Sequence, residues 1–208
     1  MGRKIEENKR KKKKRKRKIL IAIEGNKENK TEKTYFMNFE DRNAPYNISF
    51  ATGDDTDPEN LVKMLIKMAK DEEISHEYGD KMYCIFDTDT DERKNKNIMK
   101  AKKLAEENGV DIITSTPSVE LWFLLHFEYT SGIMNNKKLI EKLKKYCPKY
   151  TKSYNIYNEI KENTELAIER AKRLEKEHIK RNNTIGTTDA NPNTEIYKVV
   201  EELMNKKD

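Results

Sequence analysis

The sequence predicts an α/β protein: a four-stranded parallel sheet with flanking helices, followed by a helical C-terminal part. Three observations carry that expectation. Short β-branched apolar runs such as Ile19-Leu20-Ile21-Ala22-Ile23 suit strands buried on both faces, as in a parallel sheet. Amphipathic segments at helical spacing alternate with these runs as far as residue 114, and connections of that length imply parallel strands with right-handed crossovers. From Ser115 onward the apolar positions recur at helical spacing.

The elements follow in order. A first strand covers 19–23 and ends at Glu24-Gly25, and a short helix then carries Tyr35, Phe36 and Phe39. Ile48 and Phe50 alternate in a second strand over 47–52. Asp57 caps a helix with Pro58 at its first position and Leu61, Leu65 and Met68 on one face. The third strand covers 81–86 and ends at Asp87. A helix over 94–108 stops at Gly109, and a fourth strand covers 110–114. Helices are then expected over 120–127, 137–146 and 154–180, with a last one capped by Asn193.

The chain has 208 residues, of which 38% are charged and 35% hydrophobic, so its core is concentrated in few segments. Two cysteines exclude a disulfide scaffold and a Cys-rich zinc domain, and they fit a reducing cytoplasm. No run is long enough to span a bilayer and no apolar stretch follows the basic start, so neither membrane insertion nor secretion is expected. Met1-Gly2 does not make a myristoylation motif, because the sixth residue is Glu6.

The net charge of +6 is unevenly divided. Residues 1–18 hold twelve Lys or Arg and two Glu, a net of +10, which leaves −4 on the remaining 190 residues. Ten consecutive cations, Lys9 to Lys18, repel one another and bury nothing, so 1–18 reads as a disordered basic arm. Its cations Lys11, Lys12, Lys13, Lys14, Arg15, Lys16, Arg17 and Lys18 would hold a nucleic-acid backbone through counterion release. The alternative is a solubilising tail.

In a parallel sheet, ligands gather beyond the carboxyl ends of the strands. Glu24 follows the first strand, and Asp87 and Asp89 follow the third. Clustered carboxylates repel unless a cation joins them, and hard oxygen donors suit Mg²⁺ or Mn²⁺. Asp54, Asp55, Asp91 and Glu92 read instead as solvated turn residues.

A hydrophobic strand ending in Glu, then another ending in Asp-x-Asp, resembles the Toprim fold of topoisomerases, primases and related nucleases. More specifically, several blocks resemble the RloB family of phage-defence proteins. They are Glu24-Gly25, Thr31-Glu32, Tyr35-Phe36, Phe86-Asp87-Thr88-Asp89, Ser115-Thr116-Pro117 and the run from Glu120 to Phe127. Late matches are Lys152, Ala171-Lys172 and Asn191 to Thr194. The resemblance implies a Toprim-like domain over 19–128, a helical extension over 129–208 packed on it, and a Mg²⁺ (or Mn²⁺) site made by Glu24, Asp87 and Asp89. It also implies a cytoplasmic nuclease effector of abortive infection, controlled by a companion ATPase of the ABC/OLD type. Its substrate would be RNA, with transfer RNA the leading candidate, or DNA, and it could form a homo-oligomer. The alternative is a non-catalytic module that binds nucleic acid or docks to the ATPase.

Glu120 and His126 complete the candidate set. Six residues apart, they point to different faces of one helix. Glu120 is either a metal-side carboxylate or one favoured by the helix dipole. His126 is either a proton shuttle or a ring packed beside Trp122 and Phe123. Lys152 joins the nucleic-acid contacts. No Walker A motif, dinucleotide loop, zinc spacing or Ser-His-Asp context is present, so ATP dependence would come from a partner.

Overall fold

β1 (Arg17–Ile23) lies between β2 (Tyr46–Phe50) and β3 (Lys81–Asp87), parallel to both, and β4 (Asp111–Thr116) lies parallel to β3 on its other side. In this computed structural model the described residues are 15–25, 31–51, 56–88 and 92–205. Asp89, Lys11 to Lys14, and Asp54, Asp55 and Asp91 lie outside them.

The alternation of β1 explains the layering. Ile19 and Ile21 point into one core and Leu20 and Ala22 into the other, and all four are fully buried. α2 (Pro58–Asp71) covers the second face with α3 (Glu92–Glu107), through Leu61, Val62, Leu65, Ala101 and Ala105. Asp57 caps α2 by accepting from the amides of Glu59 and Asn60 at 3.1 Å. On the first face lie α1 (Thr31–Met37), α4 (Glu120–Leu125) and α5 (Asn136–Tyr146). With them pack α6 (Tyr157–Ile160), α7 (Thr164–Lys180) and α8 (Ile196–Met204). Every residue of α4 is buried, which accounts for its density of apolar side chains.

Glu92 opens α3 instead of sitting in a turn, β2 ends at Phe50, and four further findings differ from the sequence expectations. The sheet has five strands in the order β2-β1-β3-β4-β5, because β5 (Asn193–Thr194) pairs antiparallel with β4. Asn193 therefore sits in an edge strand, and the residue before α8 is Glu195. Second, β4 runs on to Thr116, two residues past the expected end. Third, the segment 154–180 is broken by a 3₁₀ turn at Lys161–Asn163 between α6 and α7.

Fourth, the arm does not extend to residue 18. Arg17 and Lys18 belong to β1, and Arg15 reaches Asp80 with both guanidinium nitrogens, at 3.0 and 2.8 Å. Asp80 is buried, and it also accepts from the amides of Lys18 (2.8 Å) and Ser75 (3.0 Å). Burial acts to raise its pKa, but these hydrogen bonds and the Arg15 charge outweigh it and hold the carboxyl below its ordinary value. Arg17 pairs with Glu202, and the Lys18 ammonium donates to the carbonyl of Glu72. Lys16 donates to the Arg42 carbonyl at 3.1 Å. Each of these four cations meets a carboxylate or a carbonyl of the fold.

Candidate active site

The carboxyl ends of β1 and β3 bring Glu24 and Asp87 together. The Asp87 amide donates to Glu24 Oε2 at 3.2 Å, and Asp87 Oδ1 accepts from the Val119 amide at 2.9 Å. Two helices begin beside them. Thr31 and Glu32 open α1 after β1, and Glu120 opens α4 after β4. All four carboxylates line one cleft of about 160 Å³, together with Gly25, Thr31, Thr56, Val119 and Lys152.

Glu120 is 2% exposed and doubly held. Its Oε2 accepts from Ser118 Oγ at 2.6 Å and its Oε1 from the Tyr150 hydroxyl at 3.1 Å. Desolvation and the Glu120 charge push the Tyr150 hydroxyl well above its ordinary pKa, so it remains a donor. Thr31 Oγ1 donates to the Lys152 carbonyl, which ties the start of α1 to the segment after α5.

Glu32 has the most perturbed carboxyl of the cleft's described residues. Desolvation raises its pKa to about 7; the charges of Glu120 and Glu24 add to the rise, and its own backbone hydrogen bond and Lys152 oppose it. Lys152 is the cation among the described residues that line the cleft. Such a set of carboxylate oxygens fits a hard divalent cation in kind. Among the described residues, no group of three or more His, Cys, Asp or Glu stands so as to hold a metal ion. A third ligand beside Glu24 and Asp87 would come from Asp89, outside the described residues.

Of the expected site residues, Glu24, Asp87, Glu120 and Lys152 share the cleft. His126 does not line it. Its ring is 1% exposed, stands edge-on to Trp122 at 4.7 Å and places Nδ1 2.9 Å from the Trp122 carbonyl. Burial pushes its pKa down to about 4, so it is a neutral core ring and not a shuttle at the cleft. Arg15, Lys16, Arg17 and Lys18 bond to groups of the fold.

Glu32 and Tyr150 were not in the expected set. The signal for Glu32 is its position: an acidic residue in the first turn of the helix after β1, as Glu120 is after β4. Tyr150 carries no local sign, because its role depends on a contact thirty residues away in the chain.

The family model described as RloB-like protein matches residues 19–203. No curated protein and no solved structure matches the chain.

Proposed function

The chain belongs to the RloB-like family, and from that premise we propose that it is a metal-dependent nuclease effector of an abortive-infection system, working with an ATPase of the ABC/OLD type. The observation that carries the reading is the meeting of Glu24 and Asp87 at the carboxyl edge of parallel strands, with Glu32 and Glu120 in the same cleft. A protein that only binds phosphates gains nothing from four carboxylates facing them. On this reading the fold is Toprim-like, and Glu24, Asp87 and Asp89 hold Mg²⁺ or Mn²⁺. When bound, the metal would orient a phosphodiester and stabilise charge on the leaving oxygen.

The chain's own residues supply the rest. The Val119 amide and Asp87 amide fix the two strand-end carboxylates in place. Glu32, with a pKa of about 7, exchanges a proton near neutrality, the property that general acid–base work requires. Ser118 and Tyr150 orient Glu120 toward the cleft and keep its oxygens hydrogen-bonded.

Purified protein incubated with Mg²⁺ and RNA, transfer RNA or DNA tests the proposal. Cleavage is expected from the wild type and not from Glu24→Ala, and expression of the variant at matched levels should also lose toxicity. Equal toxicity of the two proteins, with no cleavage by either, would favour the non-catalytic binding module.

A further inference from the structure

We propose that α5 and the turn after it form the surface on which a single-stranded nucleic acid lies as it enters the cleft; this rests on the nucleic-acid reading of that cleft. Residues 136–152 hold seven lysines and one glutamate, a net of +6 in a body, residues 19–208, that carries −4. Lys137, Lys138, Lys144, Lys145, Lys149 and Lys152 are exposed, while Leu139 and Leu143 fasten the opposite face to the core.

The helix dipole does not explain this arrangement. Lys144 and Lys145 in the last turn are favoured by it, but Lys137 and Lys138 stand in the first turn, where a cation is disfavoured. Their placement is unfavourable within the helix and favourable for a bound polyanion.

The strip leads to the site along the chain. α5 ends at Tyr146, the chain turns through Cys147 to Tyr150, and the Tyr150 hydroxyl reaches Glu120. Lys152, two residues on, lines the cleft itself. Tyr146, the last residue of α5, is 46% exposed, with its ring stacked on Phe127 at 5.0 Å and 3° and its hydroxyl donating to Glu128 at 2.8 Å. Lysines beside an exposed ring fit a strand that offers both phosphates and unpaired bases. A lipid surface fits less well, since Leu139 and Leu143 of α5 face the core and leave Tyr146 as its one exposed large hydrophobic side chain, too little to anchor on a membrane.

The test is binding of a labelled single-stranded RNA by the full chain in chelator, where metal-dependent cleavage does not run, across a salt series. The variant carries Lys137→Gln, Lys138→Gln, Lys144→Gln and Lys145→Gln together. The control carries Lys96→Gln, Lys100→Gln and Lys103→Gln on α3, whose side chains are also exposed. The slope of log affinity against log salt should fall by about 3 in the variant, at about 0.7 per lost phosphate contact, and hold in the control. Tyr146→Ala should weaken RNA binding about tenfold and leave duplex DNA unchanged. Equal slopes in wild type and α5 variant would overturn the proposal. So would equal slopes together with loss of binding to phosphatidylserine vesicles, which would assign the strip to membranes. A failure of hydrolysis leaves the binding result standing, because no metal is present when it is read.

Discussion

The amide of Asp87 donates to the carboxylate of Glu24 at 3.2 Å, so the ends of two neighbouring parallel strands are joined by one of the side chains expected to work there. Asp87 in turn is held by the Val119 amide at 2.9 Å. The chain Val119, Asp87, Glu24 thus sets two carboxylates against their mutual repulsion through backbone donors.

Divalent cations should relieve that repulsion and raise the melting temperature by mass action. Asp87→Asn keeps an oxygen to accept from Val119 but removes the charge. Its melting temperature without metal should be equal to or above that of the wild type, and its Mg²⁺-induced rise should vanish. A full rise retained in both Asp87→Asn and Glu24→Gln would locate the cation elsewhere.

Glu32 gives the cleft a pH signature. Its folded pKa of about 7 lies above the ordinary value of 4.5, so between those values the folded chain holds a proton that the unfolded chain has lost. Its contribution to stability therefore falls as pH rises from about 4.5 to 7, and the penalty is complete above that. Glu32→Gln should remove this decline and melt higher than wild type at pH 8. The check is thermal melting of both proteins across that range.

His126 gives the opposite slope. Its ring is kept neutral down to about pH 4, whereas the unfolded ring takes a proton below about 6.5. Stability is lost as pH falls through that window, by on the order of 3 kcal/mol for a shift of this size. His126→Phe should flatten the acid limb of a urea-melt series and leave any cleavage activity largely intact. Loss of activity without loss of stability would return His126 to the reaction.

The root of the arm separates two truncations. Removing 1–14 takes away eight Lys or Arg and two Glu and leaves Arg15 and all of β1 in the chain. Removing 1–18 also strips the Arg15 pair, the Lys18 amide bond and two strand residues. The shorter truncation should keep the melting temperature and weaken nucleic-acid binding at low salt. The longer one should lower the urea midpoint, because Asp80 stays buried without its ion-pair partner and β1 loses two residues.

The parts of the fold legible in the sequence were those whose signal is local. β1 and β3 announce themselves by apolar runs closed by a carboxylate, and α2 by Asp57-Pro58 and its stripe. β5 is two polar residues with no period, and it is a strand because Ser115 and Thr116 offer it an edge. The root of the arm is not legible in the sequence, because repulsion within a charge run is visible there, whereas Asp80 and Glu202 are distant in the chain. In the site, Glu24 and Asp87 follow from strand ends. Glu32 needs the knowledge that α1 starts against α4, and His126 is settled by burial, which the six-residue spacing does not reveal.

The antiparallel edge strand also dictates an order of events during synthesis. Ser115 Oγ meets Thr194 Oγ1 at 2.8 Å across seventy-nine residues of chain, and Thr114 and Glu195 close the same seam at 2.7 Å. Residues 117–194 must all leave the ribosome before β4 is covered. A product broken off before residue 193 leaves the backbone amides and carbonyls of β4 open to strands from other molecules, an invitation to aggregate.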